Sequence, residues 1–276
     1  MIPLQGKTAI VTGAGRGVGE ATAMRLAAAG ARVLVNDLDE AEALACVSAI
    51  RSGGGEAMPC AGDITATQFP ERLIDTALKC FGGIDILVNN AGYIWNGAIQ
   101  NHSDEQWQAM MDVHATAPFR ILRAFAPWLR ETAKRERVEQ GAASTRKIVN
   151  ISSVSGTTGA ATQIAYSAVK AAVVGMTRTL AKEWGRYNVN VNCVAFGHID
   201  TRLTQSYAGE PPTISVGERE FRVGLNEQQI DASVRASPLG RSGKPNDAAG
   251  AIYLFCLPES DFITGEVLTC AGGAQL

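Results

Sequence analysis

Lys7-Thr8-Ala9-Ile10-Val11-Thr12-Gly13-Ala14-Gly15-Arg16-Gly17-Val18-Gly19 decides the fold of this chain. An apolar, β-branched run gives way to glycines at short intervals, and helical periodicity takes over from Glu20 to Ala29. In a glycine-rich strand-to-helix turn the backbone can approach a pyrophosphate, whose charge the helix N-terminus stabilises. Taken alone, such a cluster is equally the mark of a tight turn. Its weight comes from its place in the first βαβ unit, where a dinucleotide site has to lie.

Outward from this turn the same rhythm repeats. Arg32–Asn36, Glu56–Ala61, Ile84–Asn89, Lys147–Ser152, Val189–Val194 and a last run around Val267–Thr269 read as buried parallel strands. Between them lie stretches of helical periodicity, among them Pro70–Cys80 and Asp104–Arg130. This alternation predicts an α/β fold, a doubly wound parallel sheet with helices on both faces. With no repeat and no Pro/Ser-rich linker, residues 1–276 are expected to form a single domain. Two segments depart from the rhythm. Glu131–Arg146 is highly charged and predicts an extended, solvated helix end that loops back to the next strand, with Glu131–Arg135 and Arg135–Glu139 at pairing distance. Leu203–Ser237 is a long insertion, within which Thr213–Val216 and Glu220–Val223 flank a turn as in a β-hairpin.

Composition excludes several classes. Hydrophobic residues are 46% of the chain and charged ones 19%, and 25 basic residues against 27 acidic leave a net charge of −2. That balance offers no electrostatic grip on nucleic acid or an anionic membrane. The opening residues show no basic segment, apolar run and cleavage site in succession, and charges or glycines interrupt every apolar stretch before membrane length. Six scattered cysteines without a CxxC pair predict reduced thiols, no metal site, and a cytoplasmic protein.

Two constellations carry chemistry. The second strand ends at Asn36-Asp37, where the Asp37 carboxylate can accept hydrogen bonds from adenosine ribose hydroxyls. It would repel a 2′-phosphate, which argues for NAD over NADP; Arg16, able to reach a phosphate, is the contrary signal. The second constellation is Tyr166-Ser167-Ala168-Val169-Lys170, whose spacing puts phenol and ammonium on one helix face. A nearby ammonium is expected to draw the phenol from its ordinary pKa of about 10 towards neutrality. An ordinary amphipathic pair has the same spacing. Ser153 sets this one apart, because it ends a predicted strand on the side where open α/β sheets bind ligands.

In these motifs the chain resembles the short-chain dehydrogenase/reductase family over essentially its whole length, most closely the members that reduce 3-oxoacyl thioesters. Thr12–Gly19 is similar to the family's TGxxxGxG turn, Asn89-Asn90-Ala91-Gly92 to its NNAG motif, and Ser153, Tyr166 and Lys170 to its catalytic Ser and YxxxK. The resemblance implies a Rossmann fold and hydride transfer between NAD(P) and a ketone or secondary alcohol. It implies that Ser153 holds the substrate oxygen, that Tyr166 passes its proton, and that Lys170 binds the nicotinamide ribose. Cofactor contacts would come from Gly13, Arg16, Gly17, Val18 and Gly19, from Asp37, from Asp63 and Ile64 at the adenine, from Asn90, Ala91 and Gly92, and from Gly197, Ile199 and Thr201 near the carboxamide. It also implies a homotetramer built on helices Asp104–Arg130 and Tyr166–Trp184. The position of the Leu203–Ser237 insertion just after Ile199 and Thr201 predicts a mobile substrate lid, with an oligomer contact as the alternative.

Two residues depart from the family pattern. Phe196-Gly197 replaces Pro-Gly, which releases a fixed φ angle and adds a ring near the nicotinamide. His114 stands where the family has an Asn that helps hold a proton-carrying water near Lys170. The imidazole could hold that water or join the relay, with an ionisation near its unperturbed pKa of about 6.5 shifted by its surroundings, or it could simply pack between helices. Competing substrate classes are steroid-like or cyclic alcohols. A competing function is a non-catalytic dinucleotide sensor, against which the complete Ser153–Tyr166–Lys170 set argues.

Overall fold

The computed structural model describes residues 2–207, 209–216 and 219–274. Its strands are β1 (Thr8–Val11), β2 (Arg32–Val35), β3 (Glu56–Pro59), β4 (Ile86–Asn89), β5 (Arg146–Ser153), β6 (Val189–Phe196), β7 (Ser206–Tyr207), β8 (Thr213–Val216), β9 (Arg219–Arg222), β10 (Leu225–Asn226) and β11 (Val267–Cys270). Its helices are α1 (Gly17–Ala28), α2 (Glu40–Ser52), α3 (Phe69–Phe81), α4 (Asp104–Met111), α5 (Ala117–Gln140), α6 (Ser155–Thr158), α7 (Ile164–Trp184), α8 (Glu227–Ala236) and α9 (Pro245–Cys256). Seven strands form one parallel sheet in the order β3-β2-β1-β4-β5-β6-β11.

Successive residues of a strand face opposite sides, so a sheet covered on both faces needs apolar residues at every position. In β1, Ala9 and Val11 join the core beneath α1, α2 and α9, including Leu26, Ile50 and Ile252. Ile10 faces the other way, into a second core with Leu73, Ile121, Phe125 and Val169. Each fully buried aliphatic side chain contributes about 1.5–3 kcal/mol. The order of the strands reverses between β1 and β4. The loops leaving their C-terminal ends therefore diverge there, and the crevice between them is the ligand site of such folds.

The predicted helix Asp104–Arg130 is helical throughout but changes its winding midway. After α4 the chain makes a π-helical turn over Asp112–Thr116, in which the Ala117 N–H bonds the Asp112 carbonyl, and only then does α5 begin. Pro118 explains the change, because it has no N–H to give the His114 carbonyl four residues back. The widened turn carries His114 inward to 3% exposure. α5 then continues to Gln140, where Gly141 ends it at a positive φ of 82°. The ion pair of this charged stretch joins Glu136 to Arg146, at 2.6 Å, in place of the expected pairing of Arg135.

The insertion folds as two small sheets and a helix. β7 pairs with β10, β8 pairs with β9 in an antiparallel hairpin with Thr213 opposite Arg222, and α8 follows with Asn226 and Gln229 in a reciprocal cap. The expected turn residues Gly217 and Glu218 lie outside the described residues.

Candidate active site

The glycine-rich turn has the shape of a backbone cradle. Gly13 and Gly17 have φ of 61° and 62°, a left-handed conformation that favours glycine. A Cβ on Gly19 would fall 2.0 Å from the Gly13 carbonyl oxygen, so only glycine lets α1 start this close to the turn. Thr12 and Asn90 lock the cradle to β4: Asn90 Nδ2 donates to the Thr12 and Gly13 carbonyls at 2.9 and 3.1 Å, and the Asn90 and Ala91 N–H groups donate to Thr12 Oγ1 at 3.0 and 3.1 Å.

At the end of β2, Asp37 accepts from the Gly15 N–H at 2.9 Å through Oδ2 and from the Asp39 N–H at 3.1 Å through Oδ1. Its carboxylate is thus fixed at the mouth of the crevice. Arg16 is not free: its guanidinium meets Asp39 at 3.0 Å and Glu42 at 2.9 Å. Asp63 caps its own turn by accepting from the Thr65 N–H and hydroxyl, and with Ile64 it lines the same crevice. Val18, Gly92, Gly197, Ile199 and Thr201 also line it, and the Thr201 methyl lies 3.9 Å from where a Gly17 Cβ would be. The crevice, about 1660 Å³, runs without a break from Asp37 to Tyr166 and the insertion.

Ser153, Tyr166 and Lys170 come together at the far end. Ser153 closes β5; its hydroxyl donates to the Phe196 carbonyl at 3.3 Å and accepts from the Ser155 N–H at 3.2 Å, and it is near enough to Tyr166 to favour the phenolate. One turn along α7, Lys170 Nζ donates to the Ile151 carbonyl at 2.8 Å and lies 5.4 Å from the centre of the Tyr166 ring. The electrostatics differ from the sequence expectation. Burial pushes the Tyr166 phenol up to about 12, opposed by the Ser153 hydroxyl, rather than Lys170 drawing it down. Burial also pulls the Lys170 ammonium down to about 8. Desolvation, invisible in a YxxxK spacing, outweighs the attraction.

His114 stands beside the same cluster. Its Nε2 lies 2.7 Å from the Tyr93 carbonyl, which can only accept, so Nε2 carries a proton. Desolvation, reinforced by Lys170, holds its pKa well below 6.5. The ring meets Tyr166 edge-on at 5.3 Å. Nδ1 is buried without a partner among the described residues, as is Asn89 Oδ1. Both residues border a small cavity of about 10 Å³, room for one water molecule, shared with Asn150, Ile151 and Lys170. Phe196, expected to add a ring to the nicotinamide pocket, lines the crevice and also packs in the core beneath α9, at 9% exposure.

A glycine cradle and a Ser–Tyr–Lys cluster in one crevice define a dinucleotide-dependent enzyme of the Rossmann class. Residues 7–211 match the family model described as short chain dehydrogenase. The chain is 36% identical over 274 residues to the 3-oxoacyl-[acyl-carrier-protein] reductase FabG of Vibrio cholerae, covering 99% of each. To the short-chain reductase protein NovJ of Streptomyces niveus it is 35% identical, covering 98% and 94%. A solved 7α-hydroxysteroid dehydrogenase in complex with NADH and 7-oxo glycochenodeoxycholic acid superposes with a TM-score of 0.83 at 28% identity, covering 99% of this chain and 95% of that one. The chain belongs to the short-chain dehydrogenase family, and it is an NAD(P)-dependent oxidoreductase that moves a hydride between nicotinamide and a ketone or secondary alcohol. Among the described residues no helix is long and apolar enough to cross a membrane, and no cluster of side chains is placed to hold a metal ion.

Proposed function

We propose that this protein is an NAD-dependent 3-oxoacyl-thioester reductase or the corresponding alcohol dehydrogenase, with Tyr166 as its proton donor and acceptor. The carrying observation is the contact of Tyr166 with Ser153 on one side and the approach of Lys170 on the other, at the end of a crevice that begins in a glycine cradle. The cradle fits a dinucleotide, since Gly13, Gly17 and Gly19 leave space where side chains would stand. When bound, the nicotinamide accepts or supplies the hydride. Ser153 holds the substrate oxygen beside Tyr166. In reduction the Tyr166 phenol, protonated at neutral pH, gives its proton to that oxygen; in oxidation it takes the proton back. Lys170 binds the ribose and stabilises the phenolate left behind. The cavity between Lys170 and His114 Nδ1 holds the water that returns the proton.

Asp37 supports NAD, because a fixed carboxylate repels a 2′-phosphate, and Arg16 is already occupied by Asp39 and Glu42. The acyl-carrier-protein reductase relatives support the thioester class. The superposition on a steroid dehydrogenase supports a second reading, a bulky cyclic ketone. The insertion 203–237 acts as a substrate lid, since Leu203, Thr213 and Val223 line the crevice. A homotetramer through α4, α5 and α7 is supported by Trp107, Phe119 and Ile164, which are 41%, 49% and 45% exposed there. Initial rates with 3-oxoacyl thioesters and 7-oxo steroids, each with NADH and NADPH, test the reading. Faster turnover with thioester and NADH is expected; a preference for NADPH overturns the cofactor assignment, and a preference for steroid overturns the substrate.

A further inference from the structure

Four cations among the described residues line the crevice: Arg16, Lys170, Arg202 and Arg222. Three are accounted for. Arg16 is paired with Asp39 and Glu42, and Lys170 is buried against the Ile151 carbonyl. Arg202 lies in the field of Arg16, Glu42, Asp37 and Asp39, at the end of the crevice where Asp37 stands. Arg222 is at the other end. The next residue, Val223, is 7% exposed and packs with Tyr93, Trp95 and Leu203. Tyr93 in turn bonds His114, whose ring touches Tyr166. Arg222 is therefore on the substrate side of the proton donor.

Its position is built rather than incidental. The Val223 N–H donates to the Pro212 carbonyl at 2.9 Å and the Gly224 N–H to the Leu203 carbonyl at 3.1 Å, so the end of β9 is pinned to the base of the insertion. Gly224 has a φ of 95°, and a Cβ there would fall 2.8 Å from the Gln205 carbonyl oxygen, so the pinned geometry requires glycine. Directly opposite residues of an antiparallel pair share a face. Arg222 lies opposite Thr213, and both of them, with Ser215, line the crevice. The hairpin thus turns two hydroxyls and a guanidinium towards the substrate. Among the described residues no carboxylate forms an ion pair with Arg222. Glu220, opposite Ser215 on the same face, is no exception and does not line the crevice.

We propose that Arg222 recognises an anionic group of the substrate, so that the carbonyl compounds this enzyme reduces carry a carboxylate or a phosphate. The inference rests on the reading of this crevice as a dehydrogenase site. A guanidinium offers a planar fork of donors matched to carboxylate and phosphate oxygens, and a cleft with apolar walls strengthens the attraction. The anion has two sources, a carboxylate on the substrate itself or a phosphate on the carrier of a thioester.

Three probes with the same reacting ketone separate these sources: 3-oxobutanoate, 3-oxobutanoyl-coenzyme A, and the uncharged N-acetylcysteamine thioester. Each is measured with wild type, Arg222→Gln and Arg222→Lys, by steady-state reduction with NADH and by calorimetric binding to the NAD-loaded protein, which cannot reduce the ketone. Wild type is expected to favour an anionic probe, and Arg222→Gln to weaken that probe about tenfold or more in kcat/KM and in Kd. The neutral probe should be unaffected by the substitution, and Arg222→Lys should recover part of the loss. Selective loss on 3-oxobutanoate assigns the carboxylate; selective loss on the coenzyme A ester assigns the phosphate. Equal losses on charged and neutral probes, or no loss on any, overturn the proposal. Binding of an anionic probe that depends on Arg222, without turnover by wild type, would leave Arg222 as the anion site and remove the dehydrogenase reading instead.

Discussion

Gly92 lies so close to His114 that a Cβ on it would fall 2.2 Å from the imidazole Cε1 and 2.8 Å from Nδ1. The missing side chain of one residue is the seat of the other's ring. That ring is fixed further by the Tyr93 carbonyl and by its edge-on contact with Tyr166, so the position of the phenol depends indirectly on Gly92. Gly92→Ala is expected to displace the imidazole and cost about 1–3 kcal/mol, as overpacking does. Urea denaturation should show the loss, and kcat should fall while cofactor Kd changes little. A variant with wild-type stability and kcat would show that the ring can move without consequence.

Tyr166→Phe removes the hydroxyl that faces Ser153 and leaves Lys170 and the glycine cradle intact. Reduction should fall at least 100-fold, the lower range for positioned acid catalysis, with NADH affinity nearly unchanged. Activity within about tenfold of wild type would assign the proton to another group.

Asp37→Ser should weaken NAD, yet improve NADP less than a free Arg16 would allow. Asp39 and Glu42 still hold the Arg16 guanidinium and still repel a 2′-phosphate. Adding Glu42→Gln removes one of the two carboxylates that hold Arg16 and should raise kcat/KM for NADPH beyond the single change. Equal NADPH rates in the single and double variants would show that Arg16 plays no part in discriminating the cofactors.

The Lys170 ammonium, pulled down to about 8 by burial, is a stability statement as well as a catalytic one. Between that value and the unfolded one of about 10.4, the unfolded chain binds more protons than the folded chain. This group's contribution to stability therefore rises with pH across that window, and below it the fold bears the cost of a buried charge. Lys170→Met should raise Tm at pH 7, partly offset by the lost bond to Ile151, and the advantage should shrink as pH approaches 10. A Tm difference that stays constant from pH 7 to pH 10.5 would show that the buried charge costs nothing.

The sheet was legible because parallel strands buried on both faces read as apolar runs, as in Thr8–Val11. The cluster of Ser153, Tyr166 and Lys170 was legible from the spacing of four on one helix and from a strand end. What escaped has identifiable causes. The π turn at Asp112–Thr116 inserts itself into an otherwise helical pattern, and only Pro118 betrays it. Helix α8 carries its own signal in Asn226 and Gln229, three apart, but lies in an insertion that reads as hairpin and loop. The sign of the Tyr166 shift depends on desolvation by residues distant in sequence, which no local motif records.

His114 brings these lines together, because its function turns on one nitrogen. With Nε2–H committed to the Tyr93 carbonyl, Nδ1 is a bare acceptor beside a cavity that Lys170 also borders. A ring this strongly desolvated stays neutral through the working pH range, so it can hold a proton-carrying water without itself titrating. Two substitutions separate that role from packing. His114→Asn offers an amide oxygen in place of Nδ1 and should retain most of kcat. His114→Leu fills similar space without an acceptor and should lower kcat about tenfold or more, with KM little changed. Neither should remove an ionisation near 6.5 from the pH–rate profile, because wild type has none from this group. Leucine and asparagine variants with equal, wild-type kcat would reduce His114 to packing, and loss of an ionisation near 6.5 in either would mean the imidazole takes up a proton after all.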